Sequence, residues 1–121
     1  RPRMGGFKQQ SEYMVWATKG NAPRQRSDGN TIYLPGVFSE RLPAHTKQHM
    51  TQKPFGLAQE VMRLVTPGSV VLDPFAGSGT FLAAAKQAGH HWIGCEIEPT
   101  YYKVAQERLA QAVAQKEKNA A

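Results

Sequence analysis

The chain has 121 residues, of which 40% are apolar, and a formal net charge of +6. A chain of this length can bury one modest hydrophobic core but not two, and no apolar stretch approaches the roughly 20 residues that cross a bilayer. The single cysteine, Cys95, excludes an internal disulfide and a four-cysteine metal site. No secretory signal pattern opens the chain, so we expect a soluble protein of a reducing cytoplasm, without a membrane or a bound metal.

The positive charge is concentrated in the first part of the chain. Residues 1–53 contain nine Lys or Arg and three Asp or Glu, whereas residues 54–121 contain six of each sign. A localised basic surface suits a phosphate-rich partner, although solubility alone is the alternative explanation.

The first predicted elements in chain order are a strand and a long loop. Residues 12–17, Glu-Tyr-Met-Val-Trp-Ala, predict a strand that a turn closes at residues 19–21. Residues 21–48 are rich in Pro, Gly, Asn, Ser and Thr, and loops longer than about 12 to 15 residues are usually functional or disordered. We therefore divide the single domain 1–121 into a strand segment (1–20), a basic loop (21–48) and a βαβ part (49–121).

Helix and strand alternate from Pro54 onward. A first helix is predicted from Pro54 to the breaker pair Pro67-Gly68, because apolar residues recur on one face: Leu57, Val61 and Leu64. The next apolar run, Val70 to Leu72, is typical of a short strand that is covered on both faces in a parallel sheet. It ends on Asp73, and a glycine turn follows.

The remaining elements complete a βαβ unit. An alanine-rich helix is predicted over about Ser78 to Ala88, and a second strand over His91 to Glu96, with Cys95 buried in it. Pro99 then opens a last helix whose inner face carries Tyr102, Ala105, Leu109 and Ala112. Two parallel strands joined by a helix have their carboxyl ends at the same edge of the sheet.

Two carboxylates and a glycine turn meet at that edge. Asp73 ends the first strand, Gly77 and Gly79 let a ligand approach the backbone, and Glu96 ends the second strand, where a ribose hydroxyl would be held. The third glycine of the dinucleotide fingerprint and the Gly-Lys-Ser/Thr of a P-loop are both absent. An acid at Asp73 disfavours a pyrophosphate and suits a cationic ligand such as S-adenosylmethionine, but this pattern alone does not choose the cofactor.

The run Asp73 to Thr80 resembles the cofactor motif of the amino-directed DNA methyltransferases, which act on N6 of adenine or N4 of cytosine. It is preceded by His49-Met50-Thr51-Gln52-Lys53-Pro54 and followed by Gly94-Cys95-Glu96-Ile97, Tyr102 and Arg108-Leu109, as in the carboxyl-terminal half of that family. Residues 11–20 are similar to the strand before the target-recognition segment. The resemblance implies an α/β, Rossmann-like methyltransferase fold with a mostly parallel sheet, incomplete in this chain, in a prokaryotic or phage-encoded cytoplasmic protein.

The resemblance also implies roles for individual residues. Asp73, Phe75, Gly77 and Gly79 would line the methionine and adenosine, Glu96 would hold the ribose, Ile97 would contact the adenine, and Lys53 would pair with the cofactor carboxylate. The complete set implied to bind cofactor is Thr51, Gln52, Lys53, Asp73, Pro74, Phe75, Ala76, Gly77, Ser78, Gly79, Thr80, Glu96 and Ile97. Double-stranded DNA would be contacted by Lys19, Arg24, Arg26, Arg41 and Lys47.

The family's catalytic loop, Asp/Asn/Ser-Pro-Pro-aromatic, does not occur in the sequence. Since the family places it upstream and the chain opens at Arg1-Pro2-Arg3, we expect this chain to be the later part of a longer methyltransferase, with no catalytic residue of its own. Alternatives are a catalytically incompetent remnant that binds DNA or a partner chain, and an RNA or small-molecule methyltransferase of the same fold. A homodimer and a partner endonuclease are both compatible with the sequence.

Overall fold

The computed structural model describes residues 11–20, 33–40 and 53–112. Its regular elements are α1 (Phe55–Met62), β1 (Val70–Asp73), α2 (Thr80–Gln87), β2 (His91–Gly94) and α3 (Pro99–Gln111). The two strands pair in parallel, with Val70 opposite His91 and Asp73 opposite Gly94. The predicted βαβ unit is therefore present, formed by β1, α2 and β2.

Local signals explain where the helices begin. Pro54 is extended and precedes α1, which fits a residue without an N–H donor at a helix start. Glu98 caps α3, because its side chain accepts a hydrogen bond from the backbone N–H of Thr100, and Pro99 occupies the first helical position. Helix α2 follows Gly79, whose φ of +73° is left-handed, so this helix begins two residues later than predicted.

The core lies between the helices and one face of the sheet. Ala58 and Met62 of α1 pack with Ala84 and Ala85 of α2, and Val71 of β1 borders this cluster. Leu82 and Ala83 of α2 form a second cluster with Leu109 of α3. The run of alanines in α2 brings the helix backbone close to its neighbours, as the small side chains predict.

The opposite face of the two-stranded sheet is bare among the described residues. Side chains alternate along a strand, so Val70 and Leu72 point away from Val71, and Ile93 lies opposite Leu72 on their side. All three are more than half exposed. The prediction that β1 is covered on both faces is thus wrong for this structure, because the helices that are described pack against the Val71 side.

Two further predictions about secondary structure are corrected. Residues 11–18 form no strand and are exposed, because a strand requires a neighbour to pair with and the sheet of the described residues contains only β1 and β2. This segment instead reaches the start of α1 through an ion pair between Glu12 and Lys53. Strand β2 ends at Gly94, so Cys95 is exposed and not buried.

The described helices are all too short or too polar to cross a membrane. The segment 33–40 approaches the first turn of α1, where the Glu40 carboxylate lies beside Gly56. The division of the domain into residues 1–20, 21–48 and 49–121 stays a prediction, since residues 1–10, 21–32 and 41–52 lie outside the described part.

Candidate cofactor site

The loops that follow β1 and β2 are joined by backbone hydrogen bonds. The N–H of Cys95 donates to the carbonyl oxygen of Asp73 at 3.0 Å, and the N–H of Ala76 donates to the carbonyl oxygen of Cys95 at 2.8 Å. These bonds extend the parallel ladder beyond the strands. The loop 74–79 and the loop 95–98 therefore start side by side at the carboxyl edge of the sheet, as the sequence predicted.

Asp73 stands at the start of the first loop. Its Oδ1 accepts a hydrogen bond from the backbone N–H of Phe75 at 3.1 Å, which is the geometry of an Asx turn. Within the described residues Oδ2 has no hydrogen-bond partner, and the side chain is only partly buried. The carboxylate thus shapes the turn with one oxygen and leaves the other available to a ligand cation or N–H group.

Glu96 connects the second loop to the first. Its Oε2 accepts a hydrogen bond from the N–H of Gly77 at 2.7 Å, and its Oε1 accepts one from the N–H of Glu98 at 2.9 Å. A carboxylate has about four lone-pair sites, so it can accept hydrogen bonds from several donors at once. The acid predicted to hold a ribose is therefore in contact with the glycine loop that would hold the rest of the ligand.

The two glycines of the loop serve different purposes. Gly77 has a φ of +54°, and a Cβ atom added there would meet nothing within 4 Å, so this residue leaves open space at the loop. Gly79 has a φ of +73°, but an added Cβ would lie 2.9 Å from the Cβ of Ala105. Gly77 thus fits the predicted approach of a ligand, whereas Gly79 allows α3 to pack closely behind the loop.

Phe75 and Ile97 flank this edge with exposed apolar side chains. Phe75 is 88% exposed and Ile97 is 97% exposed. An apolar residue after a strand more often belongs to the core, and neither of these does. Exposed apolar side chains at this edge of the sheet are suited to cover a planar, partly apolar ligand.

Ser78 and Thr80 face α3 and not open solvent. Both are buried, and the Nη1 of Arg108 donates to Ser78 Oγ at 3.1 Å and to Thr80 Oγ1 at 2.5 Å. Burial lowers the pKa of the Arg108 guanidinium from its ordinary value. Their hydroxyls thus support the loop from behind, and any cofactor contact from these two positions would come from the backbone.

Lys53 is exposed and paired with Glu12, so its predicted contact with a cofactor carboxylate stays a prediction. Lys19 lies exposed at a bend after residues 11–18. The other residues predicted to bind cofactor or DNA lie outside the described residues: Arg24, Arg26, Arg41, Lys47, Thr51 and Gln52. Pro74 is exposed and Ala76 partly buried, both within the loop that Asp73 begins.

Sequence reasoning missed the role of Arg108. A signal was present, because position 108 is three residues after Ala105 and one before Leu109, on the border of the inner face of α3. An arginine at such a border can bury its stem and direct its charged group at a neighbouring element. The helical pattern of α3 did not show which hydroxyl groups the Arg108 guanidinium would contact.

Comparison with known proteins identifies the family. A family profile for N6/N4 DNA methylases matches residues 2–107. The chain is 40% identical over 78 residues to YubD of Escherichia coli (strain K12), which is named as a methylase, covering 64% of this chain and 34% of YubD. It is 30% identical over 116 residues to the type II methyltransferase M2.DpnII of Streptococcus pneumoniae, covering 85% of this chain and 43% of that protein.

A solved structure agrees with the fold. The crystal structure of the M1.HpyAVI–SAM complex matches with a TM-score of 0.55 and 35% identity, over 66% of this chain and 40% of that chain. The predicted class, an α/β methyltransferase fold with a parallel sheet, is confirmed. The chain spans 34–43% of the length of these three relatives. Because the family profile covers nearly the whole sequence, the chain belongs to the N6/N4 DNA methylase family.

Proposed function

We propose that this chain binds S-adenosylmethionine at the carboxyl edge of its sheet and forms the cofactor-binding part of a DNA methyltransferase that acts on an exocyclic amine. The observation that carries the proposal is the placement of Asp73 at the end of β1 and of Glu96 two residues after the end of β2, where its carboxylate accepts from the N–H of Gly77. The relative M1.HpyAVI was solved as a complex with this cofactor, which supports the choice.

The residues at this edge match the chemistry of S-adenosylmethionine. The Glu96 carboxylate is an acceptor suited to the vicinal hydroxyls of a ribose, and the Oδ2 of Asp73 can accept from the ligand's ammonium group. Phe75 and Ile97 can cover the adenine from exposed positions. When bound, the cofactor supplies a methyl group that passes from its sulfonium sulfur to the amine nitrogen of the base, which then releases a proton.

The catalytic loop must come from outside these 121 residues. The sequence contains no Pro-Pro pair, and hence no Asp/Asn/Ser-Pro-Pro-aromatic loop to hold the target amine. Two observations support a complementary part: the relatives are more than twice as long as the matched region, and one apolar face of the sheet is bare. We infer that this part carries the loop and covers Val70, Leu72 and Ile93.

The basic first part of the chain would contact double-stranded DNA. Residues 1–53 hold all of the net positive charge, and Lys19 is exposed. The ion pair of Lys53 with Glu12 is exposed on both sides, so it is weak enough for a cofactor carboxylate to replace Glu12.

Both adenine N6 and cytosine N4 fit the proposal, since each is an exocyclic amine that must be turned out of the base stack.

Titration calorimetry with S-adenosylmethionine tests the proposal. The full-length protein should bind the cofactor, and Asp73→Ala should weaken binding at least tenfold, because it removes the carboxylate that stands at the ligand edge. Glu107→Gln is the matched control, since it removes an exposed carboxylate on the outer side of α3. Equal affinity in Asp73→Ala and the wild type contradicts the site. DNA binding that is salt-dependent but unaffected by cofactor, with no calorimetric signal, would instead favour a binding remnant.

A further inference from the structure

The glycine loop is supported by two elements, the loop that carries Glu96 and the helix α3. The Glu96 carboxylate holds the N–H of Gly77. Helix α3 lies directly behind Gly79, because any Cβ at that position would be within 2.9 Å of Ala105. The loop therefore cannot move toward α3, and its conformation depends on the α3 side chains that contact it.

Arg108 is the polar group that α3 presents. Its Nη1 donates to Ser78 Oγ and Thr80 Oγ1, which belong to the residues on either side of Gly79. Both hydroxyls are buried, so water cannot easily replace the guanidinium as their donor. Placing a partly buried cation here costs desolvation free energy, which the lowered pKa of Arg108 reflects, and the contacts with the two hydroxyls offset part of that cost.

We propose that Arg108 is a positioning residue that fixes the glycine loop in the conformation that receives the cofactor. This inference rests on the proposed function, because it concerns the same site. By binding both Ser78 and Thr80, one guanidinium restrains the peptide units on both sides of Gly79. Without this restraint, the glycine could leave its positive φ and the loop could change its conformation. Arg108 thereby sets the direction of the Gly77 N–H that Glu96 accepts.

The guanidinium is important for this role, because both hydrogen bonds come from one nitrogen, Nη1, whose two hydrogens are held in the plane of the group. A planar group with five donors can serve two acceptors in a fixed geometry, whereas a lysine ammonium is a point charge on a flexible stem. Arg108→Met removes charge and donors with little change in volume, and Arg108→Lys keeps only the charge. Thr80→Val removes the shorter of the two acceptor contacts without touching the arginine. Lys103→Met is the matched control, since it removes an exposed cation from the same helix.

Two measurements on the full-length protein separate positioning from plain stability. Amide hydrogen exchange of peptides covering residues 74–80, without cofactor, reports the order of the loop. Titration with S-adenosylmethionine reports affinity. Arg108→Met should speed exchange in the loop and raise the dissociation constant about tenfold, Arg108→Lys about threefold, and Lys103→Met should change neither. The double variant Arg108→Met/Thr80→Val should bind no more weakly than Arg108→Met alone, because both remove the same contact.

Several outcomes overturn the inference. Unchanged loop exchange in Arg108→Met overturns it, and so does a lowered melting temperature with wild-type affinity, since that pattern is a purely structural role. If Arg108→Met does not fold, loop exchange and cofactor affinity are measured in Thr80→Val instead. Wild-type values of both in Thr80→Val overturn the inference. A wild-type protein that does not bind S-adenosylmethionine refutes the proposed function, while the exchange data still decide whether Arg108 orders the loop.

Discussion

The Glu96 carboxylate accepts a hydrogen bond from the Gly77 N–H at 2.7 Å, which joins the ends of the two strand–loop units. The residues are 19 positions apart in sequence, and the bond spans the edge where a ligand would lie. Glu96 also accepts from the N–H of Glu98, so it orders its own loop as well as the neighbouring one. One side chain thus orders both loops at the carboxyl edge of the sheet.

Glu96→Gln should weaken cofactor binding more than it weakens the fold. The amide keeps one oxygen acceptor but replaces the other with an N–H₂ group, which accepts neither from a backbone N–H nor from a ribose hydroxyl. We expect the dissociation constant for S-adenosylmethionine to rise about 10- to 100-fold, and the free energy of unfolding to fall by about 1–2 kcal/mol. Calorimetric titration and urea unfolding measure the two effects, with Glu107→Gln as control. Wild-type affinity in Glu96→Gln would contradict a direct contact with the ligand.

Phe75→Ala and Ile97→Ala should weaken cofactor binding and leave the stability of the fold almost unchanged. Both side chains are almost fully exposed, so their removal should change the free energy of unfolding by less than about 0.5 kcal/mol. Cofactor affinity should fall about tenfold in each, because an adenine that they cover would lose apolar contact. Tyr33→Ala, at another highly exposed aromatic residue, is the control and should change neither quantity. A loss of stability without a loss of affinity would assign the two side chains to packing.

Gly79→Ala should be strongly destabilising, and for two separable reasons. The left-handed φ of +73° costs an alanine about 1–2 kcal/mol, and the contact with Ala105 adds an overpacking cost of about 1–3 kcal/mol. Gly68→Ala has a similar φ of +78° with nothing within 4 Å, so it should show the first cost alone. The double variant Gly79→Ala/Ala105→Gly should recover part of the second cost. Urea unfolding checks this order, and equal effects of Gly68→Ala and Gly79→Ala would show that α3 does not pack against the loop.

The elements that the sequence predicted well are those defined by local chemistry. Asp73, the glycine turn and Pro99 restrict the backbone within a few residues, so β1, the start of α2 and the start of α3 were found within two residues of their observed positions. The strand at residues 12–17 was wrong because strand formation depends on a partner that can be far away in sequence. The predictions that Cys95 and Leu72 are buried were wrong for the same reason, since burial depends on which elements pack beside or above the sheet.

The contacts of Arg108 were unpredictable for a different reason. A helical pattern shows that position 108 borders the inner face of α3, but the register between α3 and the glycine loop comes from packing. Ala105 packs against Gly79 in this register, and the sequence placed Ala105 on the inner face of α3 without showing that it would meet that glycine. The supporting side of the candidate site was therefore visible only in the structure, whereas its two acids, Asp73 and Glu96, were visible in the sequence.

Leu72→Ala tests the inference that a complementary part covers the bare face. In this structure Leu72 is 64% exposed and Leu64 is 41% exposed, so the described contacts alone predict that Leu72→Ala costs less stability than Leu64→Ala. If a complementary part packs on this face, Leu72 becomes buried, and truncating it should cost about 2–5 kcal/mol. The order of the two variants should then be reversed in the full-length protein, as measured by urea unfolding. A smaller effect of Leu72→Ala than of Leu64→Ala would show that the face remains open, and the catalytic loop would then have to meet the cofactor without packing on the sheet.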